Sequence, residues 1–350
     1  MKKLIILLFV GCFAFCSCEE IMNTILDGMN KEEDIENIDE NNGNKDEDSE
    51  NEEGLEEEQP IEIFKSEQDM EAAINHIHIY LYNYIKLQSE IEKSIIINKD
   101  FRSVTPINSL YEEAWHAGFD VIEICNKCIR SLQGVYDTFE PNIVDKYLGK
   151  CFILAGFTYK NLFEHWGGVP IITPETTPDE TWNSRNVEEV IAYTAEMLTR
   201  GCELINQDNP AGSAFISYEA GLLALSETYG YLEHHRGLES SKRVAGLNSG
   251  RKIIFELDGP DKDFIVYTSD HAELFISEFS YNLGLMQESG ISSIDDLVNR
   301  WDPASYGYWS MLKRTKQFAK IIGCETHMEY LPIPKSIVED NQCIMQNPGY

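Results

Sequence analysis

The middle of the chain carries apolar residues at helical spacing, and this pattern predicts one long helix. The apolar positions are 144, 147, 148, 151, 152, 155, 159, 162, 163 and 166, which form one broad stripe on a helix surface. Gly167 and Gly168 should end this helix, because glycine readily adopts the backbone conformation that a helix end needs. Asn186, with Glu189 three residues later, predicts the N-cap of the next helix.

The same spacing predicts helices on both sides of this element. Their approximate ranges are 67–97, 110–136, 187–206, 217–235, 271–289 and 305–322. The segment 236–270 is rich in Gly, Ser and Asp, so we interpret it as a loop that has room for one short hairpin. His234, His235 and Arg236 are expected to close the preceding helix, since cations are favourable at a helix C-terminus. The sequence therefore predicts a mostly α fold.

The first residues have the pattern of an exported lipoprotein. Lys2 and Lys3 precede an apolar run that is too short to cross a membrane, for which about 20 residues are needed. This arrangement is typical of a secretory signal. Cys18 follows a small residue, as the cysteine of a lipoprotein signal does, so we predict a signal peptide over 1–17 and lipidation of Cys18. Cys12 is the alternative lipidation site.

Acidic residues dominate the segment between this signal and the predicted helices. Residues 31–60 contain 15 Asp or Glu and 2 Lys, and the whole chain has a formal net charge of −32. Such a segment cannot bury enough apolar surface to fold. We therefore predict a disordered tether over 18–60 that joins the lipid to a folded domain at 61–350. The negative charge argues against a nucleic-acid partner, because phosphate contacts need Lys and Arg.

Two stretches resemble one known family. The first is Phe-Thr-Tyr-Lys-Asn-Leu-Phe-Glu-His-Trp-Gly-Gly-Val-Pro-Ile-Ile at 157–172, which is followed by Arg185 and by Glu-Glu-Val at 188–190. The second is Leu-Pro-Ile-Pro at 331–334 with the terminal Gln-Asn-Pro-Gly-Tyr at 346–350. Together with the lipoprotein signal, these stretches are similar to the SusD/RagB family of outer-membrane nutrient-binding lipoproteins.

The resemblance implies a fold, a location and partners. The implied fold is SusD-like, a TPR-like α-solenoid of helix hairpins with an irregular loop-rich segment. The implied protein is anchored in the outer membrane by acyl chains such as palmitate and faces the cell exterior. It would bind an oligosaccharide or a peptide and deliver it to a TonB-dependent, SusC-like outer-membrane transporter. No cofactor and no metal are expected.

The chain departs from the family pattern at one residue and in the length of one segment. Phe279 stands where the family has an Arg after Glu278. The variable segment that supplies much of the ligand surface in the family is reduced here to residues 236–270. The alternative function is therefore a tethered lid or scaffold on the transporter, with little ligand binding of its own.

Aromatic residues in predicted loops are the candidate ligand contacts, because flat apolar rings can stack on sugar rings. They are Phe101, Trp182, Tyr306, Tyr308 and Trp309. Cys125 and Cys128 lack a second Cys or His pair at the spacing of a zinc site, so we interpret them as small core residues. The sequence shows no phosphate-loop, zinc-protease or nucleophile-elbow motif, which favours a binding protein over an enzyme.

Overall fold

The computed structural model describes residues 64–176, 182–205, 216–247, 252–260 and 263–350. The predicted signal peptide at 1–17, the lipidation site Cys18, the alternative Cys12 and the tether at 18–60 lie outside the described residues. The chain divides into two units, 1–72 and 73–350, and the boundary falls within the first described helix. In the smaller unit, Oδ2 of Asp69 accepts a hydrogen bond of 2.9 Å from the backbone N–H of Lys65.

Helices make up most of the described chain. α1 spans Glu67–Glu92 and continues as a π-helical turn at Lys93–Ile97. The other long helices are α2 (Ser109–Gln133), α3 (Pro141–Trp166), α4 (Val187–Leu204), α5 (Tyr218–Leu232), α6 (His234–Leu247) and α7 (Ser269–Asn282). The shorter ones are α8 (Met286–Ser289), α9 (Ile294–Asn299), α10 (Tyr308–Arg314), α11 (Phe318–Ile322) and α12 (Lys335–Asp340). Two 3-10 turns, at Phe101–Ser103 and Thr326–Glu329, and two strands, β1 (Ile253–Leu257) and β2 (Phe264–Thr268), complete the described elements.

Successive helices pack against each other from α2 to α7. α3 packs against both α2 and α4, α5 packs against α4 and α6, and α7 packs against α6. Such stacking lets each helix hairpin bury the apolar face that it cannot bury alone. The mostly α, TPR-like fold predicted from the sequence is therefore confirmed. β1 and β2 pair antiparallel, with Leu257 opposite Phe264, so the short hairpin within 236–270 is confirmed as well.

The corner between α3 and α4 is built as the sequence predicts. Gly167 follows α3 with a φ of +75°. At the start of α4, Oδ1 of Asn186 accepts the backbone N–H of Glu189 at 2.8 Å. The C-terminal segment lies on this corner, because the side-chain amide of Asn347 donates to the carbonyl oxygen of Trp166 at 2.9 Å. The terminal motif is thus a strap on the helices.

The segment after α5 differs from the predicted loop. Extended backbone at Glu233 ends α5, and His234 begins α6 instead of closing the helix before it. The buried face of α6 is narrow and consists of small and apolar residues: Gly237, Leu238, Ser241 and Val244. With so few apolar positions, the helical period is too weak to stand out from the surrounding Gly and Ser residues.

Two predicted helices are each divided in the structure. Gly284, with a φ of +74°, follows α7 and separates it from α8 within the predicted range 271–289. Lys316, with a φ of +57°, lies between α10 and α11 within the predicted range 305–322. A residue in the left-handed region ends a helix. The apolar period continues on both sides of each break, so periodicity alone does not reveal that the backbone changes direction there.

Glycines let α3 and α4 approach closely. A Cβ atom on Gly201 would lie 2.6 Å from Cγ1 of Ile153 and 2.8 Å from the carbonyl oxygen of Gly149. A Cβ atom on Gly156 would lie 2.7 Å from Cγ of Leu198. These distances are too short for a real methyl group, so the packing of α4 on α3 requires glycine at these positions.

Gly201→Ala should lower the free energy of unfolding by about 1–3 kcal/mol, because the added methyl group overpacks the interface between α3 and α4. Gly246→Ala is the matched control. No described atom lies within 4 Å of the place where a Cβ of residue 246 would be, and alanine in this exposed helical position should be neutral or stabilise by up to about 1 kcal/mol. Urea unfolding followed by circular dichroism measures both changes. Equal effects of the two substitutions would contradict the close approach.

Candidate functional site

Five charged side chains from four helices form an ion network in the core. Nζ of Lys160 lies 2.9 Å from Oε2 of Glu164 and 3.0 Å from Oε2 of Glu227. Arg314 donates from Nη1 to Glu227 at 3.0 Å, and it donates two parallel bonds of 2.8 and 2.9 Å to Glu278. All five side chains are at most 1% exposed. α3, α5, α7 and α10 therefore meet at one set of charges, which we call the buried ion network.

Neighbouring polar groups satisfy further acceptors of this network. The hydroxyl of Tyr267 donates to Oε2 of Glu227 at 2.5 Å. The hydroxyl of Tyr231 donates to Oε1 of Glu164 at 3.3 Å. The indole N–H of Trp309 donates to the backbone carbonyl of Glu164 at 3.1 Å. A buried charge is tolerated when it is both paired and hydrogen-bonded, and the network meets both conditions.

The network stabilises the charged forms of Glu227 and Lys160. Burial opposes the charge on Glu227, but Lys160 and Arg314 outweigh it and hold the pKa of that carboxyl below its usual range. Burial likewise opposes the charge on Lys160, yet Glu164 and Glu227 raise the pKa of its ammonium above the usual value. Lys313 donates to the carbonyl oxygen of Glu164, and burial lowers the pKa of Lys313 to about 7. The charge of Lys313 therefore changes near neutral pH.

A cleft with a volume of about 1000 Å³ opens at one edge of the helical stack. Its walls are the C-terminal part of α1, strand β2, helix α7 and the loop at 300–306. This volume lies at the upper end of the range for ligand pockets, which is about 300–1000 Å³. The cleft is therefore large enough for a ligand of several sugar units.

Tyr306 joins the cleft to the buried ion network. Its half-buried ring lines the cleft and stacks on Phe157 with a centroid distance of 5.9 Å and an interplanar angle of 26°. The same ring lies 5.1 Å from Nζ of Lys160. The hydroxyl donates to Oδ1 of Asn161 at 3.0 Å. These contacts come from α3 and hold the ring in one orientation at the cleft wall.

Gln88 and Glu92 of α1 form a second link between the cleft and the core. Oε1 of Glu92 lies 3.1 Å from Nε2 of His165, and Nε2 of Gln88 lies 3.2 Å from Nδ1 of the same ring. The ring of His165 stacks on Trp309 with a centroid distance of 5.0 Å and an interplanar angle of 12°. Contacts with His165 of α3 thus position the side chains of Gln88 and Glu92 in the cleft wall.

Carboxylates and hydroxyls dominate the polar lining of the cleft. Its carboxylates are Glu92, Asp263, Asp270, Glu273 and Asp302, its cations are Lys93 and Arg300, and its aliphatic hydroxyls are Ser89, Thr268, Ser277 and Ser305. His271 also lines the cleft, and burial lowers the pKa of its imidazole, so the ring is neutral at pH 7. Such a lining accepts hydrogen bonds from a neutral, hydroxyl-rich ligand and repels an anion.

The five aromatic candidates do not come together in one site. Tyr306 lines the cleft. Tyr308 and Trp309 are 5% and 1% exposed, because α10 begins at residue 308 and turns both rings into the core, where neither has a face free to stack on a sugar. Trp182 is 38% exposed and packs on a neighbouring phenylalanine ring. Phe101 is half-buried in a 3-10 turn, and neither of these two residues lines the cleft.

Sequence reasoning missed most of the polar residues of the cleft. Gln88, Ser89 and Glu92 lie close together near the end of α1, and Ser277 lies on α7. The spacing of 88 and 92 places both residues on one helix face, so the pattern contains a partial signal. It does not show that this face lies against β2 and α7.

The cysteines predicted to be core residues are buried. Cys125 and Cys128 are free thiols in the interior, so their interpretation as small core residues is confirmed. In the part of the chain that the structure describes, no group of three or more His, Cys, Asp or Glu could hold a metal ion. Within the same part, no helix has the length and apolar character needed to cross a membrane.

Comparison with solved structures identifies the fold. A SusD superfamily protein from Bacteroides thetaiotaomicron superposes with a TM-score of 0.67 at 13% sequence identity, over 81% of this chain and 100% of that chain. This chain has the SusD fold. Surface glycan-binding protein A from Bacteroides uniformis is similar to this SusD-like chain with a TM-score of 0.64 at 12% identity, over 81% of this chain and 99% of the other.

A further neighbour of the SusD-like chain is surface glycan-binding protein A from Bacteroides thetaiotaomicron in complex with laminarihexaose. It has a TM-score of 0.63 at 11% identity, over 80% of this chain and 99% of that chain. No family model and no curated protein matches the sequence of the SusD-like chain. The SusD-like fold that the two sequence stretches imply is therefore confirmed by structure alone.

Lys160→Met should lower the free energy of unfolding by about 3–5 kcal/mol, since it leaves the carboxylate of Glu164 buried without a paired cation and removes one of the two cations paired with Glu227. Lys335→Met removes the cation of an exposed pair, in which Nζ lies 3.3 Å from Oε1 of Glu339, and should change stability by less than about 0.5 kcal/mol. Guanidinium unfolding followed by circular dichroism compares the two. Small losses in both variants would contradict a structural role for the network.

Proposed function

We propose that this SusD-like protein binds a neutral oligosaccharide in the cleft beside Tyr306. One observation carries the proposal: a cleft of about 1000 Å³ combines a partly apolar lining, whose charged groups are mostly acidic, with an aromatic ring that contacts from the core hold in place. The fold is shared with surface glycan-binding proteins, one of which was solved with laminarihexaose. This likeness supports a ligand of the same chemical class.

The lining suits the chemistry of an uncharged sugar. Ionised carboxylates accept hydrogen bonds, and sugar hydroxyls donate them. The ring of Tyr306 offers an apolar face for the C–H side of a pyranose ring. Five carboxylates against two cations give the lining an excess negative charge, which disfavours an acidic ligand. A neutral oligosaccharide therefore satisfies both the polar and the apolar parts of the cleft.

The proposal extends to the place of this protein in nutrient uptake. We propose a lipoprotein anchored through Cys18 to the outer membrane, which passes its ligand to a TonB-dependent, SusC-like transporter and does not alter it chemically. The signal-like residues 1–17 and the acidic segment 18–60 support this proposal through the sequence. β2, at the end of the reduced segment 236–270, forms a wall of the cleft, which favours ligand capture over a lid without a ligand.

Calorimetric titration of the full chain with neutral hexasaccharides, laminarihexaose among them, tests the proposal. We expect saturable binding to at least one of them. Ser277→Trp should weaken that binding by roughly tenfold or more, because an indole placed in the cleft occupies the volume that the ligand needs. Tyr306→Ala should weaken it severalfold through loss of the stacking face, which is worth roughly 0.5–1.5 kcal/mol.

The control for Ser277→Trp is Ile107→Trp. Ile107 is 77% exposed and does not line the cleft, so an indole there adds apolar bulk and should leave affinity unchanged. Affinity that is the same in both variants would place the sugar elsewhere. If no neutral sugar binds and the transporter still co-purifies with the lipoprotein, the lid hypothesis replaces ligand capture.

A further inference from the structure

A second cavity, with a volume of about 710 Å³, lies between α4, α5 and α6. Arg236 and Arg243 of α6 line it; they are seven residues apart, which places them about two turns and 10.5 Å apart on one helix face. Tyr218 and Tyr229 of α5 line the same cavity. We call these four residues the Arg–Tyr groove.

Each arginine of the groove lies over one tyrosine ring. Cζ of Arg236 is 3.8 Å from the ring centroid of Tyr229, and Cζ of Arg243 is 5.2 Å from that of Tyr218. The start of α6 thus faces the end of α5, as in an antiparallel hairpin. The tyrosines are 4% and 8% exposed, so they are fixed platforms. Contact with a ring face restrains a guanidinium and leaves the N–H donors at its edge available.

Neither guanidinium of the groove is paired with an acid of the described chain. Among the described residues, no carboxylate oxygen lies within 4.0 Å of a nitrogen of Arg236 or Arg243, although the chain has 60 Asp and Glu against 28 Lys and Arg. Glu203 and Glu239 line the same cavity without such a contact. Arg314, in contrast, is saturated by two carboxylates in the core. Nη2 of Arg236 donates to the hydroxyl of Tyr229. The other N–H donors of the two guanidiniums have no acceptor among the described residues, which leaves them for a ligand from solution.

We propose that the Arg–Tyr groove binds a saccharide with an anionic substituent, either a carboxylate or a sulfate. A guanidinium binds such an oxyanion through two parallel N–H donors. Two arginines whose backbone positions are about 10.5 Å apart along the helix axis suit a chain that carries more than one anion. The hydroxyls of Thr199 and Ser240 also line the cavity and can bind sugar hydroxyls. The saccharide part of this proposal rests on the proposed function, whereas the anion part rests on the groove alone.

Calorimetry on the full chain tests the groove with four probes: a tri-uronate oligosaccharide, its neutral counterpart, a sulfated neutral trisaccharide and an acidic hexapeptide. We expect the uronate or the sulfated sugar to bind, and the one that binds identifies the anion. Arg236→Gln and Arg243→Gln should each weaken this binding by about tenfold or more, since each removes hydrogen bonds to a charged group. Arg236→Lys keeps the positive charge but removes the pair of parallel N–H donors, so it should weaken anion binding severalfold.

Arg185→Gln is the matched control, because it removes one exposed positive charge outside the cavity and should leave affinity unchanged. Ser277→Trp, which blocks the cleft, should also leave anion binding unchanged, so failure of the cleft and failure of the groove are distinguishable. Three results would overturn the proposal: neither anionic sugar binds more tightly than the neutral one, Arg236→Gln and Arg243→Gln have no effect, or the acidic hexapeptide binds more tightly than both sugars.

Discussion

The buried ion network is the constraint on which the arrangement of helices depends. Removing a charged group from water costs several kcal/mol per ion, and the cost is offset only when partners and hydrogen bonds are complete. Lys160 has its partners on α3 and α5, and Arg314 has its partners on α5 and α7. The helices must therefore take the one arrangement in which every charge is met. The family resemblance would place an Arg directly after Glu278, where this chain has Phe279. Glu278 pairs instead with Arg314 of α10.

Helix α3, which carries two members of this network, also fixes the shape of the cleft on one side. The ring of Tyr306 rests on Phe157 and near Lys160, and Glu92 pairs with His165. Each of these supporting residues lies on α3, so the ligand-facing side chains and the charged core share one helix. A ligand that meets groups already held in place loses less free energy to ordering them. The helix that carries Lys160 and Glu164 of the buried ion network therefore also orders one wall of the cleft.

The central helix shows how far the sequence determines this architecture. Its apolar stripe predicts α3 and its end at Gly167, and both are found in the structure. The opposite side contains Thr158, Lys160, Asn161 and Glu164, which are equally buried. On the basis of periodicity, such polar positions are predicted to face solvent. No local signal distinguishes a solvated lysine from one that is paired with a carboxylate 67 residues away in the sequence. The roles of Tyr306 and Trp309 are hidden for the same reason: only tertiary partners decide which ring faces the cleft.

The arginines differ in whether acids occupy their donors, and this difference bears on the ligands that the proposed sites would bind. Arg314 and Arg236 carry the same fork of donors, yet one is saturated by acids in the core and the other lies exposed over a tyrosine. In a chain with a formal net charge of −32, an exposed arginine has many possible acidic partners. The hydroxyl of that tyrosine accepts from Nη2 of Arg236, while Glu203 and Glu239 of the same cavity form no ion pair with the arginine. The remaining donors of Arg236 are therefore left for another anion. The cleft, rich in carboxylates, has the opposite preference. Charge, more than size, would therefore decide which of the two cavities a saccharide enters.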